Sequence, residues 1–239
     1  DLWRYSLGSA AARALTLRAR RFSNIVGETR MVKLSVIVPV RAHEGFAYTD
    51  RLRFRDNCNL EEIETIVVDD GSPSELAGEI ESFCQQREWR YIRLHTGNEE
   101  FSLARARNAG LDQSAAKWVF FDDADILYPH DFFQRLVAEL ELLDRTPFNF
   151  LTVPAVYLTE ARSTLVKATK EIDTHIPEIL TALHFENPVG SENNITVQHF
   201  APASALLAMS RKTAYLAGGY HTEFRGWGGE DRDFVFRLL

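Results

Sequence analysis

Four short apolar runs divide the first half of the chain: KLSVIVPV (33–40), ETIVVDDGS (64–72), RYIRLHT (90–96) and KWVFFDDAD (117–125). Each is rich in β-branched or aromatic residues and too short for a helix, the pattern of a buried strand. Helix-compatible stretches lie between them, PSELAGEIESFCQQR (73–87) and SLARARNAGLDQSAA (102–116). A third, PHDFFQRLVAELELLDR (129–145), follows the last run, with Pro129 suited to a helix start. Strands that alternate with helices call for crossover connections and a mostly parallel central sheet flanked by helices, an α/β domain. At 239 residues the chain has room for one large domain of this kind or two small ones.

Beyond Pro147 the alternation stops. FNFLTVPAVYLTE reads as one or two strands, SALLAMSRK (204–212) as another, and EDRDFVFRLL (230–239) as a helix, while residues 160–200 carry no assignable pattern. At the other end, Leu7, Ala11, Leu15, Phe22 and Val26 fall along one face of a basic helical stretch. Such a helix either packs on the domain or lies on anionic lipid. Arg18 interrupts the apolar face and favours packing. The organisation expected is a basic helical extension or linker over 1–30 and a domain over 31–239.

Charge and cysteine content exclude some functions. The net charge is −7, with +4 in the first 30 residues and −11 in the remainder. An acidic body is a poor nucleic-acid binder but is compatible with a bound divalent cation. Cys58 and Cys84 are the only cysteines, so no disulfide framework exists and a reducing compartment is the simpler setting. No run of eighteen apolar residues is present.

In an open parallel sheet, ligands bind beyond the carboxyl ends of the strands. Two of the strands end in acids. VVDDGS alone is explained by turn and capping chemistry. DDAD is harder to explain so, although capping of the helix near Pro129 competes. In an extended segment Asp123 and Asp125 point the same way and repel unless a cation or proton lies between them. Their oxygens suit Mg²⁺ or Mn²⁺. GWGGEDRDF (226–234) places acids behind a glycine turn, where the helix dipole favours them. Its glycines let the backbone approach a ligand, and Trp227 offers a flat face to a sugar ring.

Taken in order, VIVPV, VVDDGS, ARN (106–108), DDAD and GGY…GWGGEDRDFVFRL resemble glycosyltransferase family 2, the nucleotide-sugar transferases of the GT-A fold, over most of 33–239. The last piece is similar to the GWGGED segment of β-1,4-galactosyltransferases and bacterial chondroitin-type polymerases. The resemblance implies that Pro39, Val40 and Arg41 lie beside the nucleotide, that Asp70 receives the uracil N3–H, and that Arg107 and Asn108 are near the site, Arg107 facing the diphosphate. It implies that Asp125 binds Mn²⁺ or Mg²⁺ directly, with Asp123 on ribose or a metal-bound water. Trp227 would pack on a sugar, Asp231 would act as general base and Glu230 would orient the sugars.

The implied activity is metal-dependent, inverting transfer from a nucleotide-sugar donor, a UDP-sugar, to a glycan or lipid-linked glycan acceptor. The implied setting is bacterial capsule or lipopolysaccharide synthesis in the cytoplasm at the inner membrane face, with peripheral membrane contact through 1–30 and no nucleic-acid partner. A retaining N-acetylgalactosaminyl-type transferase and a non-catalytic nucleotide-sugar or glycan-binding module are the competing readings. A dinucleotide-binding domain is disfavoured because no G-x-G-x-x-G follows VIVPV. Two features depart from the family. Relatives usually carry a metal-completing histidine beyond GGED, so the chain is read as a fragment cut within its last helix. Residues 43–62 do not read as a regular first helix.

Overall fold

The structure is a computed structural model that describes residues 22–23, 29–43, 48–96, 99–143, 149–169, 172–184, 196–201, 205–226 and 228–239. The chain divides into two units, Asp1–Met31 and Val32–Leu239. In the first, strands β1 (Phe22–Ser23) and β2 (Thr29–Arg30) pair antiparallel, Phe22 opposite Arg30. Phe22 is therefore in a strand rather than on the apolar face of a helix, and the rest of that expected helix lies outside the described residues.

The second unit is built on β3 (Leu34–Val40), α1 (Tyr48–Leu52), β4 (Ile63–Asp69), α2 (Ser74–Gln85), β5 (Arg90–Arg93), α3 (Leu103–Gln113), β6 (Trp118–Phe121) and α4 (Phe132–Leu143). It continues through β7 (Phe150–Thr152), β8 (Ala155–Leu158), α5 (Glu160–Thr169), α6 (Ile176–His184), β9 (Val197–Ala201), β10 (Leu207–Ser210), α7 (Arg211–Leu216) and α8 (Glu230–Leu238). A 3₁₀ turn, Arg53–Asn57, follows α1 directly. The four strands expected in the first half are all present and mutually parallel, in a six-stranded sheet of order β5-β4-β3-β6-β10-β7. Only β10 runs against its neighbours β6 and β7. FNFLTVPAVYLTE supplies two strands in different sheets, because β8 leaves the main sheet to pair with β9.

All seven residues of β3 are buried. Its side chains alternate between two cores, as the two-residue strand period requires. Val36, Val38 and Val40 join Ile80 and Phe83 of α2 and Phe133 and Leu140 of α4 on one face. Ile37 joins Ala104 and Leu111 of α3 and Phe234 of α8 on the other. A Cβ on Gly110 would clash with Ile37, so this glycine sets how closely α3 lies on the sheet. A smaller cluster under β9, Val166, Ile172, Ile179, Ala182 and Val197, is formed largely by the stretch that had no legible pattern.

Pro39 is an unusual residue for a central strand, since it cannot donate to a ladder. The β3–β6 pairing ends at Ile37–Phe121, so among the described residues no strand pairs with Pro39 on that side. There the strands part. The chain winds from β3 through β4 to β5, then returns to place β6 on the opposite side of β3. The crevice beyond the carboxyl ends of β3 and β6 is thus the point where strand order reverses, the place where such sheets bind ligands.

Candidate active site at the carboxyl end of the sheet

Beyond Phe121 the chain leaves the sheet, and Ala124–Asp125 form a turn. The extended geometry expected for Asp123 and Asp125 is therefore not present, and the two carboxylates take different partners. Asp123, about one-third exposed, accepts from Arg107 Nη2 at 3.1 Å. Asp125, more than half exposed, accepts from Arg51 Nη1 at 3.1 Å. Asp122 is fully buried and supports the turn from beneath, accepting from Arg55, from the Tyr128 hydroxyl and from the Asp123 N–H. Burial pushes the Asp122 carboxyl above its usual range, against the pull of Arg55 and Tyr128.

Helix α3 begins at Ser102, whose hydroxyl accepts the Arg105 N–H. Arg105 Nε and Nη2 grip Asp70 at 2.7 and 2.9 Å, and Ser102 N adds a third bond at 2.8 Å. Asp70, expected to receive a uracil N–H, is fully buried and has three of its roughly four lone-pair sites filled. Arg107 is also fully buried. It faces Asp123 on one side and Glu230 on the other, at 3.1 Å to each, and its guanidinium lies 5.2 Å from the Tyr220 ring centroid. Burial opposes the charge on Arg107, but Tyr220, Asp123 and Glu230 outweigh it and its pKa rises. The Asn108 amide is committed to the Tyr220 backbone, donating to its carbonyl and accepting its N–H, both at 2.8 Å. A Cβ on Gly219 would stand 2.7 Å from Asn108 Oδ1, which accounts for the second glycine of GGY.

The glycine turn before α8 is pinned to the start of α3. Gly226 N donates to Phe101 O at 2.7 Å, and Ser102 Oγ donates to Phe224 O at 3.0 Å. Gly229 caps α8 at φ +93°, a conformation L side chains avoid, with the Phe224 ring 3.0 Å from where its Cβ would be. Glu230, almost fully buried, spans Arg107 and the Gly228 N–H, the latter at 3.0 Å. Asp231 follows on the same turn, half-buried. Asp233 is held by Arg237 and His221, a structural role. Trp227 lies outside the described residues.

Of the residues expected beside a nucleotide, Pro39 and Val40 are core. The Val40 carbonyl accepts the Asp70 N–H at 2.9 Å. Arg41 faces the crevice, donating to Glu99 O at 2.7 Å. It borders two cavities, one of 620 Å³ shared with Ser72, Arg93 and Thr96 and one of 370 Å³ shared with Tyr48, Phe101 and Gly226. A third cavity of 660 Å³ opens at Asp123 and Asp125 and is lined mainly by apolar residues, among them Ile126, Leu127, Val156, Ile176 and Leu183. Sequence reasoning missed Arg51, Arg55, Arg105 and Asp122. Their partners are remote in sequence, and the one available signal was a surplus acid, Asp122, at a buried strand end.

Among the described residues, no three His, Cys, Asp or Glu side chains gather as a metal cluster. Two part-exposed carboxylates on one turn, Asp123 and Asp125, do fit the way Mg²⁺ is commonly held, by one or two carboxylates together with substrate phosphates.

A mostly parallel sheet, a switch-point crevice and acids at its mouth are the architecture of the GT-A fold. Residues 35–239 match the family model described as glycosyltransferase like family 2, and the chain belongs to that family. It is 26% identical over 202 residues to the chondroitin synthase of Escherichia coli, covering 76% of this chain and 29% of that protein. It is 25% identical over 195 residues to the hyaluronan synthase of Pasteurella multocida, covering 74% and 19%. The chain thus spans less than a third of the length of these relatives. Residues 1–349 of S. aureus TarS share the fold at a TM-score of 0.50 and 18% identity, covering 86% of this chain and 55% of that one.

Proposed function

We propose that this domain transfers a sugar from a nucleotide donor, a UDP-sugar, to a hydroxyl of a growing polysaccharide, with inversion and with a divalent cation. The observation that carries the reading is the Arg107 bridge, which ties the Asp123–Asp125 turn to the Glu230–Asp231 helix start. The sugar donor enters between Arg41 and the turn, with the base towards the cavity bordered by Arg93 and Thr96. Asp125 and Asp123 would hold Mn²⁺ or Mg²⁺, which would neutralise charge on the leaving diphosphate. Arg41 remains as a fixed positive group at the mouth.

Asp231 takes the proton of the acceptor hydroxyl as that oxygen attacks the anomeric carbon from the face opposite the diphosphate. A positioned base contributes about 10²–10⁴-fold to such a step. Glu230 is the poorer base, being almost fully buried with Arg107 on one oxygen and the Gly228 N–H on the other. It instead orients the helix start. Trp227 packs on donor or acceptor sugar. Synthesis of a bacterial surface polysaccharide, with a glycan or lipid-linked glycan as acceptor and with residues 1–30 at the inner face of the membrane, is the setting proposed. Among the described residues no helix is long and apolar enough to cross a membrane.

The experiment is sugar release and transfer measured with a panel of nucleotide sugars in Mn²⁺, with product anomer analysis. An inverted product that needs the cation supports the reading. A retained anomer, or donor binding with no transfer by a longer chain, overturns it.

A further inference from the structure

We infer that Arg55 is a positioning residue for the divalent-cation turn, an inference that rests on the reading of Asp123 and Asp125 as cation ligands. Arg55 lies in the 3₁₀ turn Arg53–Asn57, in the stretch where no regular helix was legible. Its side chain is fully buried. One guanidinium reaches three successive residues of the turn: the Asp122 carboxylate, the Asp123 carbonyl at 2.6 Å and the Ala124 carbonyl at 3.1 Å. The two acids that face the crevice flank those carbonyls.

The contact pattern is directional. Asp122 is fixed from three sides, by Arg55, by the Tyr128 hydroxyl and by the Asp123 N–H at 2.7 Å. The backbone of the turn is thereby clamped through both its N–H and C=O groups, while the Asp123 and Asp125 side chains are left towards the crevice. Four residues earlier, Arg51 meets Asp125 from the same segment. A planar guanidinium spreads its donors over a rigid fork and reaches oxygens set apart from one another, whereas an ammonium offers its three donors from a single point. Groups that orient metal-ligating carboxylates without touching the ion typically govern affinity by about 10–100-fold.

This assigns a function to residues 48–57. They carry no acid of the site, yet they hold the turn that does.

The test compares wild type, Arg55→Lys and the double variant Arg55→Met/Asp122→Leu. The double variant removes both buried charges together, so no unpaired ion is left to unfold the core. Calorimetric titration with UDP in Mn²⁺ and in EDTA, and Mn²⁺ binding followed by electron paramagnetic resonance, are the readouts, each on protein with a cooperative melt. Both variants are expected to lose about 10–100-fold in Mn²⁺-dependent UDP affinity while the EDTA value stays unchanged. Arg55→Lys keeps the charge beside Asp122 and is expected to recover stability but not cation affinity. Wild-type Mn²⁺ dependence in the folded variants overturns the role of Arg55 while leaving the cation site standing, provided Asp125→Ala abolishes that dependence. If Asp125→Ala is also without effect, the cation reading itself fails and this role with it.

Discussion

Arg107 Nη1 stands 3.1 Å from Glu230 Oε1, both side chains out of solvent, across 123 residues of sequence. The same guanidinium reaches Asp123, so the Asp123–Asp125 turn and the start of α8 share one buried cation. Removing it leaves Glu230 buried without a counter-ion. Arg107→Leu is expected to cost about 3–5 kcal/mol, read as a fall in urea midpoint. Arg107→Lys keeps the charge but not the two-sided fork. It is expected to lose less stability and yet most transfer activity. Equal activity in the lysine variant would show that the bridge has no part in aligning the two sides.

Asn108 is expected to act on the fold and not on the donor. Its amide closes both backbone groups of Tyr220, so Asn108→Ala leaves a buried N–H and C=O without partners. A loss of about 2–6 kcal/mol follows from about 1–3 kcal/mol for each of the two orphaned groups. Nucleotide affinity in the folded variant is expected to match wild type. A selective loss of nucleotide binding without destabilisation would place Asn108 in the donor site after all.

Asp231→Asn removes the proposed proton acceptor with little change of shape. Donor binding is expected to persist while transfer falls by about 10²–10⁴-fold. Single-turnover assays with saturating donor read the chemical step directly, and near-normal turnover would locate the base elsewhere.

The thiols give a signed dependence on pH. Cys58 and Cys84 are both free, and burial raises each to about 12. Between the unfolded thiol value of about 8.5 and about 12, the native state binds more protons than the unfolded state. The contribution of the thiols to stability is therefore complete below that window and falls as pH rises through it. Urea unfolding from about pH 8 to about pH 10 should show a shallower decline in Cys84→Ala than in wild type. Both thiols are also expected to resist disulfide reagents near pH 8 in the native state.

The four parallel strands were legible because each is a buried apolar run whose composition admits little else. The acids at the ends of β4 and β6 were legible because a strand end is where an open sheet meets its ligand. What joins them was not. Arg55 sits among Arg51, Arg53 and Asp56, and nothing local separates a buried arginine from three solvated charges. Its partner Asp122 is 67 residues away. The motif points to Arg107, but sequence spacing cannot show that Glu230 returns to meet it in the core. Asp123 and Asp125 were expected to share a direction; the chain leaves the sheet at Phe121, and the turn that follows sends them to different arginines. Trp227 lies outside the described residues, and its role as a sugar platform stands as a proposal.

The central claim is that Asp125 binds a divalent cation together with a nucleotide diphosphate. The most direct measurement is a thermal shift of wild type and Asp125→Ala with UDP, GDP, CDP and TDP, each with Mn²⁺ and with EDTA. Ligand at about a hundred times Kd adds about 2.7 kcal/mol, which for a domain of this size is about 5–10 °C. A rise of that order is expected in wild type only when UDP and Mn²⁺ are both present, and none in Asp125→Ala. An equal rise in the variant, or a rise with UDP in EDTA that Mn²⁺ does not increase, would contradict it.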